Sequence, residues 1–389
     1  MRKAIALALS RGRAGAPALA ADKVTVGFIT TLSGPQSVMG TQMKDSADLA
    51  LEMLGGKIGG LPAEIVYGDD QQKPDVGRQL ADRMLKRDKV DFISGLLASN
   101  VTLALYQEVL KAGVPMVSAN SGPHEIAGRL CSPLFFATSM QNDQAPQIMG
   151  HYMTEQGIDN VYIMAPNYAA GKDMLAGFKR SYKNHLAGET YTGFGQSDYQ
   201  AELTALRAAK PQAVFGFFPG GMGIQFVKQY AASGLRGEIP FYSALTQDAT
   251  NLVQIKDAAL GNYDISYWNA DLDNPRSREY VAAFRKKYGY IPASYGANSF
   301  DAIFLLDSAV RAVKGDLSDR KGLIAAMEKA DFPSVRGKFR FNTNHFPIQD
   351  FYLLKAEKDA DGTTQMHIVR KIASDDADPY VAECKMPPH

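Results

Sequence analysis

Residues 23–30, KVTVGFIT, followed by the turn Leu32-Ser33-Gly34-Pro35, decide the fold of this 389-residue chain. The β-branched and apolar residues predict a short buried strand, and the Gly-Pro pair marks the turn that ends it. Amphipathic periodicity at about 40–54 then predicts a helix directly after the turn. A buried strand that runs at once into a helix is the opening unit of a parallel α/β sheet.

Strand and helix patterns then alternate through two successive series. The strands of these series are predicted at 62–67, 90–93, 114–118, 160–165, 189–194, 213–218 and 239–243, and the helices at 74–87, 100–112, 144–156, 169–186, 199–209 and 223–233. Such βα units, joined by right-handed crossovers, build doubly wound parallel sheets. Because the alternation restarts after the first series, the sequence predicts two lobes of the same α/β class.

The last third of the chain carries too few elements for a further doubly wound unit. It predicts helices at 275–288, 299–314 and 318–330, and strands at 338–341, 350–355 and 365–371. We therefore expect the chain to cross back between the lobes, which makes a multi-strand hinge in place of a flexible linker. The predicted first lobe comprises 21–140 and 268–336, and the predicted second lobe comprises 141–267 and 337–389.

The composition excludes several classes of protein. With 42 Lys and Arg against 41 Asp and Glu the formal net charge is +1, so the chain has no basic excess with which to bind nucleic acid. The sequence contains no run of 18 or more apolar residues that could form a transmembrane helix. Hydrophobic residues make up 46%, which is typical of a folded globular chain and excludes disorder as its main state.

Motifs for catalysis, nucleotides and metals are missing from the sequence. It has no phosphate-binding Gly-x-x-x-x-Gly-Lys-Ser/Thr, no Gly-x-Gly-x-x-Gly after the first strand, no Gly-x-Ser-x-Gly and no His-Glu-x-x-His. The six histidines are scattered without the spacing of metal ligands. We therefore expect no cofactor, no metal site and no enzymatic activity.

The first twenty residues have the pattern of a secretory signal peptide. Arg2 and Lys3 form a positive start, residues 4–9 are apolar, and Ala18-Leu19-Ala20 fits an A-x-A cleavage site. We therefore expect 1–20 to be removed on export, with the mature protein in a bacterial periplasm. A chain that keeps this segment as an Ala-rich tail is the alternative.

Cys131 and Cys384 are the only cysteines of the sequence. An oxidising compartment would permit them to pair, and the bond would close a very long loop and fix the carboxyl-terminal segment. Two unpaired thiols are the alternative that the sequence leaves open.

Three strand-to-helix junctions are rich in hydroxyls and backbone amides. Leu32-Ser33-Gly34-Pro35 follows the first strand, Ser99-Asn100 follows the strand at 90–93, and 118–123 follows the strand at 114–118. In a parallel sheet all three lie at the carboxyl edge, where doubly wound folds bind ligands. Helix-start amides carry partial positive charge, so they could hold a carboxylate without Lys or Arg. Ordinary N-capping of the helices is the alternative.

The second series places apolar residues at the equivalent strand ends. Tyr168 follows the strand at 160–165, Pro219-Gly220-Gly221 follows 213–218, and Leu245-Thr246 follows 239–243. These residues would face the junctions of the first lobe across a cleft. Packing in the core is the alternative for the aromatic side chain.

These residues resemble the type I periplasmic solute-binding proteins, and in particular the branched-chain amino acid and aromatic acid-binding group that serves ABC importers. The resemblance covers about 23–371. Its matching segments are Val24-Thr25-Val26-Gly27, Leu32-Ser33-Gly34-Pro35 with Gly40, Asp69-Asp70, Ser99-Asn100, 115–123, Tyr168 with Gly171, Tyr295-Gly296-Ala297 and Asp301-Ala302. Each segment on its own is a weak family signature, but the order and spacing of the segments together are specific for the family.

The resemblance implies a non-catalytic binding protein whose two lobes close on a ligand and then dock on a membrane permease. It implies that the first lobe holds the ligand carboxylate, that the loop before the first helix covers it, and that aromatic side chains close over it. The residues that the resemblance and the strand-end positions assign to ligand binding are Met39, Ser99, Asn100, Ser121, Gly122, Pro123, Tyr168, Pro219, Gly220, Leu245, Thr246 and Tyr295.

One departure from the family pattern bears on the ligand. Amino acid-binding members place an acidic residue after the strand that corresponds to 239–243, where this chain has Leu245. A buried ammonium without a carboxylate partner is costly, so the sequence favours aromatic carboxylates, such as benzoate- or cinnamate-like acids. Asp248 lies three residues further on, so a small shift in alignment would restore branched-chain or other amino acids as ligands. A ligand-binding sensor that feeds a signalling receptor is a further alternative.

Overall fold

The computed structural model describes residues 21–386, which form two lobes, each built around a parallel-dominated sheet. The first lobe contains the strands β1 (Val24–Thr30), β2 (Lys57–Ile58), β3 (Leu61–Asp69), β4 (Phe92–Gly95), β5 (Met116–Ser118) and β6 (Phe135–Ala137). Its first helices are α1 (Ser37–Met53), α2 (Pro74–Arg83), which continues as a π-helical turn at Met84–Asp88, α3 (Ser99–Lys111) and α4 (His124–Ala127). The predicted signal peptide, 1–20, lies outside the described residues.

The second lobe begins with α5 (Gln144–Glu155) and follows the same strand-helix alternation. Its strands are β7 (Asn160–Pro166), β8 (His185–Thr192), β9 (Ala213–Gly216), β10 (Phe241–Ala244), β11 (Tyr263–Ser266), β12 (Gln349–Lys358) and β13 (Thr364–Asp376). Its further helices are α6 (Ala169–Ser181), α7 (Gln200–Ala209), α8 (Gly221–Ala232) and α9 (Ala249–Ile255), with a 3₁₀ turn at Lys256–Ala259.

Three late helices return to the first lobe. They are α10 (Pro275–Tyr288), α11 (Ser294–Ala312) and α12 (Arg320–Lys329). Helix α11 packs along α1, and nearly all of its side chains are buried. Polar contacts also fix the late helices on the first lobe. The hydroxyls of Ser46 on α1 and Tyr280 on α10 lie 2.8 Å apart, and the Gly59 amide after β2 donates to Asp307 of α11 at 2.7 Å. Among the described residues, no helix is long and apolar enough to cross a membrane.

Both sheets reverse their strand order next to their first strand. The order is β2-β3-β1-β4-β5-β6 in the first lobe and β13-β12-β11-β10-β9-β7-β8 in the second. Strand β1 pairs in parallel with β3 and β4, so that Val26 lies opposite both Ile65 and Phe92. Among the described strands, antiparallel pairing is confined to the pairs β2–β3, β11–β12 and β12–β13. In doubly wound sheets the crevice at such a reversal, at the carboxyl ends of the strands, is where ligands bind.

The structure differs from the sequence expectation in several short elements. The expected strand at 338–341 is absent from the described residues, where 334–347 contains only two isolated bridges, and the strand expected at 189–194 begins earlier, at His185. Strands β6 and β11 were not expected, because runs of three and four residues carry too little periodicity to distinguish them from loops. Both strands matter because each adds one more strand to its sheet, and so one more carboxyl end from which a loop can reach the cleft.

The carboxyl-terminal segment packs on the first lobe and not, as the predicted division assigns it, on the second. A disulfide joins Cys131 to Cys384, directly after a 3₁₀ turn at Pro379–Glu383. The Phe346 ring likewise packs in the first lobe, 5.9 Å from the Phe135 ring. Residues 337–389, which the sequence analysis assigned to the second lobe, are therefore divided between the two lobes.

Four stretches of chain connect the lobes among the described residues, and one arginine touches three of them. The three are the stretches between β6 and α5, between β11 and α10, and between α12 and β12, and the fourth follows β13. Arg336, on the third, donates to the Ser139 carbonyl on the first at 3.2 Å and lies over the Tyr267 ring on the second at 5.5 Å. It also donates to Gln349 at 2.8 Å and to the Asp301 carboxylate of α11 at 3.3 Å. Both side chains of the Arg336–Asp301 pair are buried, with 5% and 0% exposure.

Replacement of Arg336 by Met should strongly destabilise the protein, because it leaves Asp301 buried without its counter-charge. Breaking one partner of a buried ion pair costs about 3–5 kcal/mol. The free energy of unfolding, measured by urea denaturation, should fall by about that amount. The double variant Arg336→Met with Asp301→Asn should lose less, because no buried charge remains. The exposed Arg278→Met is the control, with a change of about 0.5 kcal/mol or less.

Candidate functional site

A narrow cleft lies between the lobes, where strand ends from both sheets face each other. Its lining residues are Gln36, Met39, Leu97, Ser99, Asn120, Met140, Asn142, Tyr168, Ala170, Met174, Phe217, Pro219, Leu245 and Tyr295. None of these described lining residues is an Asp, Glu, Lys, Arg or His. A ligand in this cleft would therefore be held by neutral hydrogen-bonding groups and apolar contacts.

The polar wall of the cleft comes from the first lobe. Ser99 begins α3, just beyond β4, while Asn120 follows β5 and Asn142 follows β6. The Ser99 hydroxyl oxygen accepts hydrogen bonds from Ser121 Oγ at 3.3 Å and from Asn142 Nδ2 at 3.2 Å. With both lone pairs of this oxygen occupied, its own hydrogen is left to donate into the cleft. Ser99 is thereby set up as a donor to a negatively charged or carbonyl oxygen.

Four other residues expected at this wall lie outside the cleft lining: Asn100, Ser121, Gly122 and Pro123. Ser121 is fully buried behind Ser99, to which it donates. The Gly122 amide donates to Asn142 Oδ1 at 3.0 Å, and Pro123 precedes α4. The chain turns away from the cleft at this point because 120–123 packs against the stretch that follows β6. These residues therefore support Ser99 and Asn142 from behind.

The second lobe supplies the opposite wall, which is mostly apolar. Tyr168, Pro219 and Leu245 line the cleft at the strand ends where the sequence placed them. The Tyr168 ring lies nearly parallel to Phe217, with 6.4 Å between centroids, so the two form a flat aromatic surface. Gly220, the other residue expected here, does not line the cleft; its backbone has φ +61° and lies against the first lobe.

Leu245 is held in the cleft by a buried carboxylate beneath it. Its φ is +49°, in the left-handed region, and its amide donates to Asp264 at 2.8 Å. Asp264 also accepts from the amides of Thr246 and Gln247, and burial raises its pKa to about 7. Thr246, expected in the cleft, lies outside its lining because its hydroxyl oxygen accepts from the Phe218 amide at 2.9 Å.

Asp248, the acidic residue that an altered alignment would bring to the ligand, does not line the cleft. Its carboxylate caps α9, accepting from the Thr250 amide at 2.7 Å. Burial raises the pKa of Asp248 to about 6. Among the described residues, no carboxylate therefore lines the cleft beside Leu245.

Several lining residues were not among those expected from the sequence: Gln36, Leu97, Asn120, Met140, Asn142, Ala170, Met174 and Phe217. Leu97, Asn120 and Phe217 follow strand ends, so the rule that selected Ser99 could have found them. Met140 and Asn142 follow β6, a strand that the sequence did not reveal. Gln36 immediately precedes α1, and no local pattern distinguishes it.

The lobes are in contact across the cleft, so the structure is the closed arrangement. The Gly221 amide donates to the Pro35 carbonyl at 2.7 Å. A Cβ on Gly221 would lie 2.9 Å from that oxygen, so the close approach requires glycine. On the other side of the cleft the Tyr295 hydroxyl donates to the Leu245 carbonyl at 2.9 Å. Tyr295 and Met39, both expected at the site, line the cleft.

Two α/β lobes that close on a cleft at their strand ends define a periplasmic binding protein of type I. The chain matches the model of the periplasmic binding protein family over residues 23–362, and it belongs to that family. It is 26% identical to "Leu/Ile/Val-binding protein homolog 6" of Brucella melitensis over 376 residues, which cover 93% of this chain and 95% of the relative.

Two solved structures are similar over almost their full length. One is a solute-binding protein of an ABC transporter from R. palustris in complex with benzoate, 30% identical with a TM-score of 0.88, covering 93% of this chain and 99% of that one. The other is from Rhodopseudomonas palustris BisB5 in complex with 3,4-dihydroxybenzoic acid, 29% identical with a TM-score of 0.85, covering 92% and 99%.

A histidine–aspartate pair also joins the two lobes beside the cleft. His124 Nδ1, on α4, lies 2.7 Å from Asp173 Oδ1 on α6, and Asp173 is almost fully buried. Glu125 Oε2 lies 3.3 Å from the same nitrogen, the Tyr380 ring packs 5.4 Å from the imidazole, and Asp143 adds a further negative charge. The hydrogen bond to Asp173, opposed by partial burial, raises the pKa of His124 above its usual 6.5.

The contribution of His124 to stability should therefore depend on pH. A raised folded-state pKa means that the contribution is fully present below the unfolded pKa of about 6.5 and is lost as pH rises through the folded value. The loss of unfolding free energy caused by His124→Gln should be larger at about pH 5.5 than at about pH 8.5. His151→Gln is the control, because the exposed His151 side chain pairs, among the described residues, only with the exposed Glu155 on the same helix. An equal loss for His124→Gln at both values would contradict the prediction.

Proposed function

We propose that this protein is the solute-binding component of an ABC importer and that it binds a small aromatic carboxylate between its lobes. The observation that carries the proposal is the cleft itself: uncharged among the described residues, with hydrogen-bond donors on one wall and apolar groups on the other. Such a site suits a ligand with one anionic end and one apolar body.

The first-lobe wall suits the carboxylate. Ser99 offers a hydrogen that its own partners leave free, and it stands at the start of α3, where the helix amides carry partial positive charge. Helix starts of this kind hold carboxylates without a cationic side chain. The carboxylate oxygens would therefore take hydrogen bonds from Ser99 and from backbone amides of this wall.

The remainder of the cleft suits an aromatic ring. Met39, Met140 and Met174 line it together with Phe217 and Tyr295. A methionine sulfur beside an aromatic ring contributes about 0.3–1.5 kcal/mol, and the thioether adapts to the outline of the ring.

Amino acids fit this cleft less well. An α-ammonium would need a carboxylate partner, and no described carboxylate lines the cleft. Asp248 caps α9 and Asp264 holds the Leu245 backbone, while Asp173 accepts from Asn142 and pairs with His124. An unpaired ammonium in an enclosed site costs several kcal/mol. Branched-chain amino acid binding remains the second candidate, because the Brucella relative is named as a Leu/Ile/Val-binding protein homologue.

We further propose a periplasmic location and a membrane permease as the partner. The predicted signal peptide and the Cys131–Cys384 disulfide both support export, because disulfides persist in oxidising compartments. Family membership supports the permease, since the similar solved proteins are described as solute-binding proteins of ABC transporters.

The direct test is calorimetric titration of the purified protein with benzoate, with hydroxybenzoates and with leucine. We expect at least one of the aromatic acids to bind with a Kd of about 10 μM or tighter, while leucine binds at least about a hundredfold more weakly, about 2.7 kcal/mol. Tighter binding of leucine would support the second candidate and contradict the first.

Ser99→Ala should weaken aromatic acid binding. A hydrogen bond to a charged group contributes about 1.5–3 kcal/mol, so the Kd should rise by about 10- to 100-fold. Ser94→Ala is the matched control, because Ser94 is also buried and donates to the Val117 carbonyl, but it lies away from the cleft. An unchanged Kd for Ser99→Ala would remove this serine from the site.

A further inference from the structure

Gln36 carries a buried oxygen that nothing in the protein satisfies. The residue is 2% exposed, and its Oε1 has no hydrogen-bond partner. Of the described residues that line the cleft, Gln36 alone has a buried side-chain oxygen or nitrogen without a hydrogen-bond partner. A buried acceptor left unpaired costs about 1–3 kcal/mol, so its presence in the cleft points to a donor that arrives with the ligand.

The amide lies between the two lobes, close to an aromatic neighbour. Gln36 and Tyr168 both line the cleft, and the Gln36 amide acts on the pKa of the Tyr168 hydroxyl. The Gln36 oxygen is the side-chain atom that lacks a partner and can meet a ligand. Since α1 begins at the next residue, the backbone that carries Gln36 is also fixed.

Gln36 and Ser99 serve different parts of the cleft. The hydrogen-bond partners of Ser99 are Ser121 and Asn142, both on the first-lobe side. The neighbours of Gln36 are Tyr168 and Gly220, where a Cβ on the glycine would lie 3.2 Å from the Gln36 Cα. The two groups share none of these neighbours. A ligand whose carboxylate lies at Ser99 would therefore present another of its atoms to Gln36.

We propose that Gln36 is a specificity-determining residue that accepts a hydrogen bond from a hydroxyl group on the ligand ring. The preferred ligands are then hydroxylated aromatic carboxylates, and unsubstituted benzoate is a weaker ligand. The inference rests on the proposed function, because it assumes an aromatic carboxylate in this cleft. A site that hydrogen-bonds a substrate hydroxyl disfavours the analogue without it, because its own polar group then stays unpaired.

The test compares ligands that differ only in the donor. The wild-type protein is titrated with benzoate, 3- and 4-hydroxybenzoate, and 3- and 4-methoxybenzoate, the last two of which can accept but cannot donate. We expect at least one hydroxybenzoate to bind about tenfold tighter than benzoate, and its methoxy analogue to bind no tighter than benzoate.

Gln36→Met keeps the approximate size of the side chain and removes the amide. It should abolish the preference for the hydroxybenzoate, a loss of about tenfold, while the Kd for benzoate stays the same or falls. Gln36→Glu keeps an acceptor oxygen but adds a negative charge, so it should weaken the binding of benzoate and of the hydroxybenzoate alike and keep the preference between them. Gln156→Met, an exposed position at the end of α5, is the control and should change neither Kd.

The possible failures can be told apart. Equal wild-type affinity for benzoate and every hydroxybenzoate, or an equal loss of affinity for both in Gln36→Met, would overturn the role of Gln36 and leave the proposed function intact. A wild-type protein that binds none of these acids would overturn the proposed function and the inference together. Should Gln36→Met fail to fold, the hydroxy and methoxy comparison on the wild-type protein still decides the question.

Discussion

The buried pair of Arg336 and Asp301 is the interaction on which the two-lobed arrangement depends. The guanidinium lies on one connection between the lobes and contacts two others, while its counter-charge is anchored on α11 of the first lobe. Because the charges are desolvated, neither can be removed without leaving the other unpaired. Three of the connections are thereby held together at one point, which fixes where the carboxyl ends of the two sets of strands meet.

Buried carboxylates near the cleft hold its backbone in place, but they do not line it. Asp264 holds the backbone of Leu245 in a left-handed conformation, and Asp248 caps α9. Asp173 beside the cleft is engaged by the His124 and Asn142 side chains. These carboxylates are thus committed to groups of the protein, and the cleft they support is lined by neutral groups among the described residues. This separation explains how a protein with several buried carboxylates near its site can offer an anion an uncharged, hydrogen-bonding wall.

The contacts between the lobes link ligand binding to closure. Pro35 meets Gly221, Tyr295 meets Leu245, and His124 meets Asp173 around the cleft, and Leu245 and Tyr295 also line it. A ligand that touches both walls adds its contacts to these, and it shifts the population toward the closed state by the difference in its affinity for the two states. The glycine at Gly221 is required because the backbones approach too closely for a side chain.

The sequence by itself determined the two α/β lobes and the strand-end positions of Ser99, Tyr168 and Leu245, because strand and helix periodicities are local. Only the tertiary structure decided that Ser121 stands behind Ser99, that β6 brings Asn142 to the cleft, and that the oxygen of Gln36 lacks a partner. Which loop residue faces a ligand depends on how distant segments pack, such as 120–123 against the stretch after β6. Contacts between residues far apart in the chain leave no periodicity in the sequence, so they are settled only when the lobes come together.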